Sequence, residues 1–324
     1  MTGYLKDQTR KGIQMLRQFA TTVLALAAAG LTTSLATAAD KTDPSAVVDK
    51  TEFAAATPAK PRKVLIYSHC NGFNHGQGIA AAKVAFPAMG KKTGAFQCVI
   101  SDDLANFEAD KIQEFDAIIF SNTTGDLFTG NAFAKCEKKP AKEEEAKTTE
   151  RLRKNLVDCV KGGKGIMGIH SACDCSYGWK EWGEMLGGYF IGHPWGKIWV
   201  TNDDPTSPVN AAFGGKDFEI SDEIYTFGPS KKLHWDAYSR DVNRVLLSVD
   251  MPKSKIAKGP RADKDHGLSW IKTYGSGRTF YCAFGHDERA FVNPAVLQHF
   301  LAGLQFVLGD LKADAAPKPK SAAK

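Results

Sequence analysis

At 324 residues the chain can bury a sizeable core, in the range of one large α/β domain or two small ones. Its net charge of +6 sits at the ends: the first 38 residues and residues 312–324 each carry +3, and the stretch between is neutral. A basic nucleic-acid face is therefore excluded, and the lysine-bearing end, 312–324, reads as a disordered tail.

In chain order, Lys6, Arg10, Lys11 and Arg17 precede an apolar run from Phe19 to Leu35, followed by small residues at Ala36 and Ala38. This is the pattern of a secretory signal peptide over residues 1–38, so the mature protein is expected to be exported, periplasmic or secreted, without stable membrane insertion. Residues 39–62, rich in Ala, Pro and charge without apolar periodicity, read as a linker. The fold is expected from residue 63 to 311. Its first strand is "KVLIYSH" (63–69), followed by a glycine-rich turn and a helix over about 79–89. "FQCVISDD" (96–103), "FDAIIFSN" (115–122) and "GIMGIH" (165–170) repeat the buried-strand pattern. A charged, low-complexity surface insertion over about 132–147 leads into an amphipathic helix ending at Gly162-Gly163.

After residue 190 the segments shorten to "KIWVTND", "FEISDEIY", "RVLLSVD", "GLSWIKTYG" and "GRTFYCAFGHD", and a long amphipathic helix starts at Pro294. Strand and helix alternate in the first half, so the chain reads as a single α/β domain. Its expected sheet is mostly parallel, flanked by helices, with an antiparallel extension. Export makes disulfides permissible, but the seven cysteines fit no zinc template. Most are expected as buried small hydrophobes, with one or two bridges.

Ligands of open parallel sheets gather at the carboxyl ends of the strands. Three segments fall there, "SHCNGFNHG", "IHSACDCSYGW" and "FGHDERAF", and they hold His69, His75, His170 and His286 of the eight histidines. His193 follows in "GYFIGHPWG". Asp222 and Glu223 are adjacent in a strand and face opposite sides; Glu223 is the one expected in the pocket, with Asp222 capping a turn or pairing with Arg278.

Taken together, "VLIYSHCNGFNH", "GGKGIMGIHSA", "WGEMLGGYFIGHP", "FEISDEIY" and "GLSWIKTYGSGRTFYCAFGHD" resemble the ThuA-like family, named for trehalose utilisation, over roughly residues 63–309. The resemblance implies a fold similar to the class I glutamine amidotransferases, with a flavodoxin-like core, and a role in carbohydrate catabolism. In those relatives the strand-to-helix elbow carries a nucleophilic cysteine; here the matching residue is His170. Imidazole serves as acid, base or metal ligand but replaces an acyl-transfer thiolate poorly, so glutamine hydrolysis is not expected. Cys173, three residues on, is the alternative nucleophile.

The family pattern draws attention to His170, His193, Glu223 and His286 as catalytic residues. The same four would be the ligands if a divalent metal such as zinc is the cofactor. His75, Trp195, Tyr225 and Asp287 are assigned to substrate binding, with Trp195 as an aromatic ligand contact and Asp287 also readable as a cap. Three functions follow from this set. The first is an enzyme acting on a glycoside or keto-sugar by hydrolysis, elimination or isomerisation. The second is a non-catalytic sugar-binding protein, and the third a structural or adaptor domain.

Overall fold

The computed structural model describes residues 42–319; the expected signal peptide, residues 1–38, lies outside them. From Asp43 onward the chain forms one compact α/β unit. Its strands are β1 (Lys63–Tyr67), β2 (Gln97–Ile100), β3 (Ala117–Ser121), β4 (Gly165–Ile169), β5 (Tyr189–Asn202), β6 (Phe218–Gly228), β7 (Arg244–Val249), β8 (Gly267–Tyr274) and β9 (Gly277–Cys282). The helices are α1 (Pro44–Lys50), α2 (Gly76–Thr93), α3 (Glu145–Lys161), α4 (Lys180–Leu186), α5 (Glu288–Phe291) and α6 (Pro294–Leu308).

All nine strands form one sheet in the order β2-β1-β3-β4-β9-β8-β7-β5-β6. β2, β1, β3, β4 and β9 run parallel, while every pairing from β9 through β6 is antiparallel. The sheet is thus mixed in equal measure, which corrects the expectation of a mostly parallel one. The cause is connection length. Tyr274 and Gly277 are joined by a two-residue hairpin turn, with Gly275 at φ +60°, and a parallel crossover needs a dozen residues or more. In the parallel half, β3 and β4 are buried along their whole length. Alternation in β9 sends Phe280 against Gly303 of α6 and Tyr281 towards Gly168.

Residues 43–62, read from the sequence as a linker, are tied to the domain. Asp43 caps α1, and Val48 of that helix is fully buried. The Lys92 ammonium donates to the carbonyls of Val48, Asp49 and Thr51, closing the helix at its negative end. Gln298 and Gln305, two turns apart on α6, each exchange two hydrogen bonds with the backbones of Ala54 and Ala56. The charged insertion also begins differently from its reading: Ala132 and Phe133 are core residues in the turn Gly130–Lys135. Asp314, in the basic tail, pairs with Arg244. The seven cysteines are all unpaired, so no bridge forms. Among the described residues, no helix is long and apolar enough to cross a membrane.

His299 of α6 supplies a pH prediction. It is fully buried, with Nδ1 donating to the Val209 carbonyl at 2.9 Å and Nε2 lying 2.9 Å from the Ser269 hydroxyl. Burial pulls its pKa down to about 4, against a partial upward pull from the Val209 carbonyl. The unfolded chain takes up a proton near pH 6.5 that the folded ring refuses. This contribution is therefore fully present above pH 6.5 and is lost as the pH falls towards 4, by up to about 3 kcal/mol. Urea unfolding at pH 7, 5.5 and 4.5 is expected to show that slope, and His299→Gln to flatten it.

Candidate functional site

Three of the cluster's side chains arrive on the carboxyl ends of parallel strands. His75 ends the loop after β1 and sits at the N-cap of α2; His170 follows β4 directly; His286 follows β9. His170 has φ +48°, a left-handed backbone that costs a non-glycine residue about 1–2 kcal/mol. Two contacts hold it there: the Tyr281 hydroxyl donates to the His170 carbonyl at 2.6 Å, and His170 Nδ1 donates to the Ala283 carbonyl at 2.7 Å. The fourth member, Glu223, comes from β6 at the far edge of the sheet. β5 and β6 pair with three register shifts between Phe190 and Lys197, and such bulges bend a strand pair. The bent hairpin brings Glu223 to the histidines and lays Tyr225 on His170, with ring centroids 4.1 Å apart.

Glu223 Oε2 is the point of convergence. It lies 3.1 Å from His286 Nδ1, 3.3 Å from His170 Nε2 and 3.8 Å from His75 Nε2, and Oε1 lies 3.2 Å from His193 Nδ1. Burial by itself would raise the Glu223 carboxyl. The hydrogen bonds from His170 and His75 and the positive charge of His170 and His286 overcome it and hold the group well below the usual carboxylate range. His75, with Ser171 Oγ 3.1 Å from Nδ1, is pushed down by burial.

The cluster's donor atoms stand close enough together to share one cation. One atom each from His75, His170, Glu223 and His286 lie within 4.8 Å of one another. His170 decides the electrostatics. Ala283 offers only a carbonyl, so Nδ1 must carry the hydrogen, which leaves Nε2 to face the carboxylate 3.3 Å away. A proton or a metal ion between those two atoms makes the approach favourable. Three imidazoles and one carboxylate are ligands suited to zinc and similar divalent ions, so the residues fit such a group.

Asp222 is the residue whose importance the sequence understates. Its carboxylate accepts from the N–H of Glu223 at 2.8 Å, of Gly285 at 2.8 Å and of His286 at 3.3 Å, binding the strand of one cluster member to the loop of another. Burial raises its pKa, opposed by His170 and these amides. Its partners are these backbone amides rather than Arg278. The same loop is gripped by Asn122 Nδ2, which donates to the Gly285 carbonyl at 2.8 Å. At Gly78 in α2 a Cβ would stand 2.3 Å from that carbonyl, so only glycine lets the helix approach. Gly285 itself takes φ +122°.

The other assigned residues divide. Tyr225 is buried, with its hydroxyl 3.4 Å from His75 Nε2. His75, assigned to substrate binding, is a member of the tight four-atom group; His193, assigned as a ligand, stands outside that group, its side chain 54% exposed. Trp195 pairs across the hairpin with Ile224, on the face opposite Glu223, and its ring meets His266 at 5.0 Å. Asp287 caps α5 and pairs with Arg289. Cys173 is fully buried, which pushes its thiol well above the ordinary value and disqualifies it as a nucleophile. Asp174, unremarked in the sequence, carries a carboxyl raised by burial and bonded by the Tyr177 hydroxyl at 2.5 Å.

A family model described as trehalose utilisation (ThuA) matches residues 63–307. The crystal structure of a ThuA-like protein from Bacteroides uniformis ATCC 8492 aligns at 22% identity and a TM-score of 0.57, covering 79% of this chain and 95% of that one. A second ThuA-like protein, from Parabacteroides merdae ATCC 43184, aligns at 15% identity and a TM-score of 0.50, covering 79% and 93%. No curated protein matches. The two crystal structures share the fold, and the family match takes in every member of the histidine–glutamate cluster: the chain belongs to the ThuA family.

Proposed function

We propose that this protein is an exported enzyme of carbohydrate catabolism. In this reading His75, His170, Glu223 and His286 hold a divalent metal ion, and the substrate is a glycoside or keto-sugar. The observation that carries it is the convergence of three imidazoles and one carboxylate, with one donor atom from each within 4.8 Å of the others. The family's link to trehalose utilisation supports the sugar. A bound metal supplies Lewis-acid polarisation of a sugar carbonyl or hydroxyl. On a keto-sugar this would acidify the C–H beside the carbonyl and open elimination or isomerisation.

His193 is the group that moves a proton. Its Nδ1 lies 3.2 Å from Glu223 Oε1, and the ring is exposed to the solvent side. Glu223 orients that imidazole as well as binding the metal, and Tyr225 bounds the pocket through its contacts with His170 and Phe190. The experiment is metal analysis of purified protein and its His170→Ala variant after equilibration with zinc or manganese and dialysis without chelator. About one equivalent in the wild type and its loss in the variant are expected. Absence of metal from both would overturn the metal reading.

A further inference from the structure

We propose that Phe73 is a stacking platform for a pyranose ring at the mouth of the histidine–glutamate cluster. The proposal rests on the sugar reading above and adds the surface that holds the ring. Phe73 is 68% exposed, the most exposed of the large hydrophobic side chains on the surface of the described residues and the only aromatic one among them. A phenylalanine left in water forgoes the burial that usually places it inside.

The loop does not leave the ring exposed through slackness. The Thr124 hydroxyl accepts from Gly72 N–H at 3.2 Å and donates to the Phe73 carbonyl at 2.8 Å. The Asn71 amide donates to the carbonyls of Asp126 and Thr129 at 2.6 and 2.7 Å. The backbone is pinned on both sides, and the side chain is held out beside the cluster: its ring stands nearly perpendicular to that of His75, with centroids 4.8 Å apart. A second aromatic surface borders the cluster through Glu223, where His193 lies parallel to Phe190 at 5.9 Å. Open aromatic faces beside hydrogen-bonding groups match the chemistry of a pyranose, which presents a C–H patch on one side and hydroxyls at its rim.

Isothermal titration of trehalose and of glucose into the zinc-loaded protein tests the platform. Wild-type protein is expected to bind at least one of them. Phe73→Ala is expected to weaken that affinity about tenfold, in the range of aromatic stacking contributions, while Phe73→Trp retains it and metal content stays unchanged in both. Because the ring is exposed, Phe73→Ala is expected to fold, and circular dichroism checks this. Unchanged sugar affinity in Phe73→Ala overturns the platform and leaves the sugar reading standing. Failure of both sugars to bind the wild type overturns the two together. A change in oligomeric state by light scattering, with sugar affinity unchanged, assigns the ring to a protein contact and likewise overturns the proposal.

Discussion

Glu223→Gln is expected to abolish the stabilisation of the protein by divalent metal while leaving the metal-free fold nearly intact. The carboxylate is the one anion on which His75, His170, His193 and His286 converge, and an amide of the same shape removes the charge without removing bulk. A cation present at a hundredfold excess over its dissociation constant stabilises the native state by about 2.7 kcal/mol. If the variant loses about a hundredfold in affinity, the scale of a weakened metal site, only about 0.4 kcal/mol remains. Without metal, Glu223 is partly open to solvent, which screens its pairings with the histidines. Thermal melts with and without zinc would show the wild type raised by several degrees and the variant by about one. Equal zinc shifts in the two proteins would remove Glu223 from the metal site.

The second large effect belongs to Asp222, as a positioning residue. Asp222→Asn replaces one of two acceptor oxygens by an NH2 that must face the amides of Glu223, Gly285 or His286. A buried N–H left without an acceptor costs about 1–3 kcal/mol. The metal-free protein is therefore expected to melt about 2–10 °C lower, the reverse of the pattern for Glu223→Gln. Because the tie sets Glu223 and His286 against each other, zinc affinity should also fall about 10- to 100-fold. Titration of zinc against a competing chelator measures the second effect independently of the first. A lowered melting point with unchanged zinc affinity would confine Asp222 to holding the fold.

Several parts of this site were legible in the chain. "GIMGIH" reads as a strand ending in histidine because a run of apolar residues closed by a polar one is a local signal, and the elbow lies where that signal places it. Glu223 rather than Asp222 faces the histidines because neighbours in a strand alternate, and that parity survives any register. Trp179, at the N-cap of α4, and Trp182 within it are both buried, their rings stacked at 5.9 Å.

The chain's own periodicity determined which segments become strands and helices, which strands end in histidine and which face of β6 carries the carboxylate, since each depends on neighbours a few residues apart. Tertiary structure alone decided which of these residues meet. The register shifts that bend the β5–β6 hairpin turn Trp195 to the opposite face, keep His193 at the solvent side and bring Glu223 to His170, 53 residues away in sequence. The deep burial of His75 and the three-amide grip of Asp222 likewise arise from contacts between segments. No local pattern encodes them, because a bulge changes the position of everything beyond it by an amount fixed only when the two strands pair.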